Sequence, residues 1–282
     1  MFLLPAFLVL GFAMLYPVVF GIRLSFFEWA LRDISKAPKF IGLSNYIQLF
    51  KNEYFHTSVR VTFIFTFSVV IAELFLGLVL ALLVEEKIKG LRVFRTIFVL
   101  PIMIAPVVVG VTWRFLYDPE YGYINFFIRL FGGKGPLWLA DPQLALLSII
   151  ITDIWQWTPF VFLLVLAGLQ GIPRDLLEAG VVDGTSPWQN FWHIKLPMIK
   201  SVLGITAALR LIDAFRGLVV MYIMTYGGPG MSTQILSLHL YKTAFVSQRL
   251  GLASAIAVIL LLVIAIVTII LMMILRQGRE QR

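Results

Sequence analysis

The sequence predicts an all-α integral membrane protein with six transmembrane helices. Three observations predict it. Apolar residues fall in blocks near the length that crosses a bilayer as a helix. The chain is 60% hydrophobic and only 13% charged, whereas about a quarter of residues are charged in soluble domains. The cations gather in short connections and in the tail, where they can set membrane orientation.

The spans run roughly over residues 2–27, 61–84, 93–117, 144–169, 202–224 and 252–275, making one transmembrane domain over residues 1–282. The first block, "MFLLPAFLVLGF", has no cationic n-region, and its first basic residue is Arg23. It therefore reads as a span rather than a signal peptide. The last, "LASAIAVILLLVIAIVTIILMMIL", would rise about 36 Å as a helix, enough to cross with some tilt. Lipid supplies no hydrophobic drive between helices, so small residues must carry much of the packing. Gly204 and Ala208 offer such a surface in span five, and Gly251, Ser254, Ala255 and Ala257 in span six.

An even number of spans puts both termini on one side. The tail carries Arg276, Arg279 and Arg282, and the short connection after span two carries Lys87, Lys89, Arg92 and Arg95. Both read as cytoplasmic. The longer first connection also holds Arg32, Lys36, Lys39, Lys51 and Arg60, but these are mixed with acids. The connections after spans one, three and five then lie outside.

Ionisable residues inside spans are costly to bury and so mark function or structural pairing. Glu73 sits in span two, Asp153 in span four, and Arg210, Asp213 and Arg216 in span five. The span-five set is spaced i, i+3, i+6, so neighbours can pair locally. "DIWQWTPF" adds Gln156, Trp155 and Trp157 beside Asp153. Acid, amide and indole groups together suit a ligand that presents hydroxyls and C–H faces. The indoles equally suit interface anchoring or packing. Asp153, Gln156, Trp157, Arg210, Asp213 and Arg216 are the candidate functional residues within the spans.

The connection between spans four and five is too elaborate for a simple link. Pro173 suits a first helical turn, with Asp175 where an acid favours the helix dipole. "PRDLLEAGVVDG" predicts about three turns ending at Gly184, a natural helix stop. Thr185 or Ser186 can cap a second short helix with Pro187 in its first turn. In it Trp188, Phe191 and Trp192 share a face. On physical grounds the pair could dock a cytosolic partner or lie among the headgroups. A DNA-reading helix pair would be pinned against the membrane without groove access, so no nucleic-acid partner is expected.

This stretch, residues 173–197, resembles the "EAA" loop of bacterial ABC-transporter permease subunits, and the chain is identified as similar to that family. Glu178, Ala179, Asp183, Gly184, Ile194, Leu196 and Pro197 match the motif. Gly180 stands where a second Ala is usual, which costs the helix about 1 kcal/mol. "FIGLSNYIQLF" (Phe40 to Phe50) and "YGGPGMSTQILSLHLYKTAF" (Tyr226 to Phe245) resemble segments of the maltose-type first permease subunit in the carbohydrate-uptake group. In the latter, Tyr226 replaces one of three glycines.

The resemblance implies the type I ABC importer permease fold in a bacterial inner membrane. It implies half of a translocation pathway for a sugar-like solute, with Asp153, Gln156, Trp157, Arg210, Asp213 and Arg216 the candidates to line it, completed by a second related permease. Two ATPase subunits and an external solute-binding protein are the other implied partners. The loop then couples to the ATPase, with Glu178 the polar contact and Gly184 serving the backbone turn. The chain lacks the G-x-x-x-x-G-K-[ST] phosphate loop, so no cofactor is expected in it, and ATP with Mg²⁺ belongs to the ATPase chains. Polyol or glycerol-phosphate solutes fit the same family. A secondary transporter acting alone would leave the cytoplasmic helix pair without a purpose. The absence of cysteine and the scattering of His56, His193 and His239 give no nucleophile or metal constellation, so no enzyme activity is expected.

Overall fold

The computed structural model describes residues 4–33, 35, 37–85 and 91–280. Lys36, Lys87, Lys89 and Arg282, and the first residues of the first predicted span, lie outside the described residues. The chain is helical along most of its course. α1 (Leu4–Leu24) leads to a short hairpin, β1 (Phe27–Glu28) with β2 (Lys39–Phe40), then α2 (Ser44–Phe50). The hairpin pairs Phe27 with Phe40, whose rings meet edge-on at 5.3 Å. Buried Asn45 donates to the Ser25 and Phe27 carbonyls, holding this entry to α2.

α3 (Glu53–Leu83) and α7 (Pro142–Gln170) are the central pair. Asn52 caps α3 by accepting from the Tyr54 amide, and Asp141 caps α7 by accepting from Gln143 and Leu144, with Pro142 in the first turn. The two helices cross where Gly77 meets Val161. A Cβ on Gly77 would fall 2.6 Å from Val161 Cγ1, so the missing side chain sets the approach. Phe162, Val165, Leu166 and Leu169 of α7 bury against Ala81 and Val84 around that crossing.

The spans predicted as single helices over 93–117 and 202–224 are each interrupted in the structure. The first is two helices, α4 (Leu91–Met103) and α5 (Pro106–Leu116), bent by 101° between them. Pro106 explains the break: it supplies no N–H, and it disfavours helical geometry at Ala105, which is extended at φ −59°, ψ 137°. The amphipathic α6 (Tyr123–Leu130) follows. After α7 and the short α8 (Arg174–Val182), α9 (Pro187–Asn190) runs through a π-helical turn, Phe191–Lys195, into α10 (Leu196–Arg216). α10 stops at Gly217, and α11 (Val219–Met224) resumes after Leu218. α12 (Leu236–Tyr241) and a π-helical turn at Lys242–Val246 precede the long α13 (Leu250–Glu280).

Among the described residues three helices are long and apolar enough to cross a membrane, α3, α7 and α13, the last over Leu250–Leu275. The bent α4–α5 pair makes a fourth if it is one span, and Val9–Leu24 is a shorter apolar helix. α10 packs against α3, α7 and α13. Of the small residues expected to pack, Gly204 faces Leu275, and Gly251 lies against the Phe27 carbonyl. Large apolar side chains remain exposed along α1 and α13, Phe12 and Ile266 among them, as lipid-facing surfaces require.

Candidate functional site

Two broken helices meet beside α7. α5 and α11 pack on each other, with Gly110 of α5 beneath Ile223. Arg114 Nη1 donates to the Ile223 carbonyl at 3.1 Å. A break frees backbone groups that need partners, and such breaks persist only where protein or a wet cavity supplies them. Gln156 meets part of that need: its Nε2 donates to the Ile104 carbonyl at the α4–α5 bend, at 3.3 Å. A partly open cavity of about 250 Å³ lies between the two breaks. Its walls include Pro106, Asp153, Gln156, Trp157, Asp213, Arg216 and the backbone of Gly217–Met221. Gln156 Oε1 is buried there without a hydrogen-bond partner.

Behind this cavity sits a buried ionic cluster. Arg210 of α10, 1% exposed, reaches three carboxylates on three helices. Its Nε and Nη2 donate to Glu73 of α3 at 2.6 and 2.9 Å, a bidentate pair. Nη2 also donates to Asp153 of α7 at 2.9 Å, and Nη1 to Asp213 at 2.6 Å. The guanidinium carbon lies 4.6 Å from the Trp157 ring centre, a cation–π contact. Glu73 is fully buried, whereas the Asp213 side chain is 52% exposed. The arrangement grades from a dry interior pair to a wet edge at the cavity wall.

The structure therefore gathers all six pathway candidates. Asp153, Gln156, Trp157, Asp213 and Arg216 line the cavity, and Arg210 stands behind it. Arg216 is exposed and makes no ion pair with Asp213, so the local pairing is that of Arg210 with Asp213. Trp155 points elsewhere, edge-on to Trp113 at 5.5 Å. Glu73 is the member whose partner sequence reasoning missed. A lone acid within an apolar run signals a counter-ion somewhere, but the run does not say where.

The 173–197 segment is built as two arms of unequal character. α8 ends at Gly184, whose φ of +74° lies in the left-handed region that glycine adopts freely. Asp183 N–H donates to the Ala179 carbonyl, and Thr185 donates to the Gly180 carbonyl from both its amide and its hydroxyl. Ser186 then forms a capping box with Gln189, and Pro187 takes the first turn. The second arm is not a separate short helix as the sequence suggested. It continues through the π-helical turn, where Leu196 N–H reaches back five residues to the Phe191 carbonyl, before Pro197. The wider turn leaves room for the Pro197 ring, which would otherwise crowd the carbonyl four residues back.

Glu178, Ala179, Asp183 and Gly184 are exposed on the first arm, and Leu196 and Pro197 are half-buried on the second. Gly180 is buried: a Cβ there would lie 3.0 Å from Ile194 Cδ1 and 3.1 Å from Thr185 Oγ1. Its departure from Ala is where the two arms close on each other. Lys195 Nζ donates to Glu85 at 2.6 Å, tying the segment to the end of α3. Trp188, Phe191 and Trp192 cluster as their spacing predicts, with Trp188 and Trp192 centred 5.7 Å apart.

Residues 74–281 match the family described as the binding-protein-dependent transport system inner membrane component. The chain is 36% identical over 260 residues to the trehalose/maltose transport system permease protein MalF of Thermococcus litoralis, covering 89% of this chain and 88% of that one. It is 34% identical over 260 residues to the sn-glycerol-3-phosphate transport system permease protein UgpA of Pectobacterium atrosepticum, covering 91% and 86%. Its fold matches a crystal structure of a bacterial ABC transporter involved in import of the acidic polysaccharide alginate. The TM-score is 0.86 at 22% identity, over 98% of this chain and 94% of that one.

Proposed function

The chain belongs to the family of binding-protein-dependent transport system inner membrane components, a transport subunit rather than an enzyme, and on that premise we propose that it forms half of the pathway for a sugar-like solute. A second related permease completes the pathway, an external binding protein delivers the solute, and two ATPase subunits drive it. The termini and the 173–197 segment face the cytoplasm. The observation that carries the reading is the cavity between the two helix breaks. It offers an aromatic face in Trp157, carboxylates in Asp153 and Asp213, and a buried acceptor in Gln156 Oε1 that has no partner of its own. A hydroxyl donor satisfies such an acceptor, and an acceptor left empty in the interior costs about 1–3 kcal/mol. The relatives named for trehalose/maltose and for glycerol phosphate set the range of solutes.

Coupling runs through α8. Its ATPase partner must bind one pathway state better than the other for ATP to move the spans. Exposed Glu178 is the polar contact on that helix. The test is the reconstituted assembly with Glu178→Lys. Solute-stimulated ATP hydrolysis and uptake of labelled trehalose should both be lost while the subunits still co-purify. Wild-type stimulation in that variant would remove Glu178 from the contact. Uptake by vesicles holding this chain alone, above empty vesicles, would overturn the half-pathway reading. Uptake of glycerol 3-phosphate in place of trehalose would move the solute class.

A further inference from the structure

α6 is turned with its apolar side outward. Tyr123, Phe126, Phe127 and Leu130 recur at i, i+3, i+4 and i+7, one face of a helix. All four are 55–67% exposed. The opposite side carries Asn125, which is fully buried. Its amide donates to the Pro119 and Pro136 carbonyls at 3.3 and 3.1 Å, and its Oδ1 accepts from Trp138 Nε1 at 2.8 Å. Trp138 in turn packs on Tyr117, 5.5 Å between ring centres, at the end of α5. Three hydrogen bonds on the inner face therefore prevent α6 from rolling its apolar stripe inward.

The position of the helix says what the stripe meets. Gly122, just before α6, lies so close to the end of α5 that a Cβ would come within 2.5 Å of the Leu116 carbonyl. α6 thus starts against the end of α5, the second helix of an apolar pair long enough together to be one bent span. Its composition matches a membrane boundary. Tyr and Phe dominate the outer face, and Arg129 lies on the Asn125 side with Lys134 exposed just beyond. Aromatic residues favour the membrane boundary, and amphipathic helices with basic polar faces lie in its plane. Arg129 Nη2 donates to the Pro119 carbonyl at 2.6 Å, which holds the cation beside the helix rather than over the stripe.

We propose that α6 is an interfacial helix seated in the headgroup–acyl boundary of the bilayer, its Tyr123–Phe126–Phe127–Leu130 face in lipid and its Asn125 face on the protein. The helix fixes how deep the end of α5 sits, independently of which solute is carried. The chain has no cysteine, so single nitroxide labels can be placed at will. The experiment uses the full chain with the subunits that co-purify with it, in nanodiscs of phosphatidylethanolamine and phosphatidylglycerol. Labels at Phe126→Cys and Phe127→Cys should collide several-fold more with oxygen than with a water-soluble nickel chelate. A label at Phe115→Cys, in the last turn of α5, serves as a reference at a position that keeps every α6 contact. Nickel collisions dominating at both α6 sites would put the stripe in water and overturn the proposal. Low collision with both reagents would put it under another protein chain and overturn it equally.

Discussion

Arg210 donates to both oxygens of the Glu73 carboxylate, across 137 residues of sequence, and does so almost wholly out of solvent. That pair fixes α10 against α3, and Asp153 adds α7 through the same guanidinium. Removing one member of such a group leaves charge buried without compensation.

Arg210→Met keeps much of the side-chain volume but strands Glu73 and Asp153. Breaking a buried pair in this way costs about 3–5 kcal/mol. The expected outcome is a sharp loss of folded, co-purifying subunit and a lower thermal inactivation midpoint. Adding Glu73→Gln to that variant should recover part of the loss, because it removes one of the stranded charges. A wild-type midpoint in the single variant would mean the cluster does not hold the helices.

Accessibility should divide within the cluster. Single cysteines at positions 213 and 216 should react with small water-soluble reagents, and one at 210 should not, since Arg210 is 1% exposed. Asp213→Asn should leave subunit yield close to wild type while lowering solute uptake, because the Arg210–Glu73 pair survives it. Equal loss of yield and uptake would assign Asp213 to structure alone.

Gly184→Val tests the joint between the two arms of the 173–197 segment. A β-branched residue at φ +74° is strained, and the left-handed region costs ordinary residues about 1–2 kcal/mol. The spans should assemble normally, with solute-stimulated ATP hydrolysis reduced well below wild type. Normal stimulation would show that the angle of α8 is set elsewhere.

Burial, and then the charge of Lys242, hold the His239 imidazole below the ordinary histidine range. The unfolded chain takes up a proton near pH 6.5, while the folded imidazole, its Nδ1 3.1 Å from Ser58 Oγ, takes one up only at lower pH. The unfolded state therefore binds more protons just below pH 6.5. The stabilisation is complete above that pH and is lost as pH falls toward the folded value. Thermal scans at stepped pH should show an acid decline that His239→Asn flattens. An unchanged acid limb in that variant would assign the decline to other groups.

Much of this was legible in the sequence, for physical reasons. Long apolar runs announce α3, α7 and α13 because lipid demands them. The turn at Gly184 and the cap at Ser186 were readable because their chemistry is local. The i, i+3 spacing of Arg210 and Asp213 gave their contact for the same reason. The helix breaks were missed although Pro106 and Gly217 stood in view, since averaged hydropathy passes over a single bend. The π-helical turn at Phe191–Lys195 was missed because one wider turn leaves no mark on a residue pattern. The joining of Glu73, Asp153 and Arg210 depends on how three helices cross, and no local spacing encodes that.

From Pro187 to Arg216 the helix is one continuous rod, anchored by Arg210 short of its far end. At 1.5 Å per residue the Pro187 side of that anchor is about 35 Å long and the cavity side about 10 Å. A rod held so acts as a lever with unequal arms. A displacement applied beside α8 would arrive at Gly217 reversed in direction and reduced about threefold, with force multiplied in proportion. The fulcrum is the charge cluster, and the load is the stretch of cavity wall that begins at Gly217.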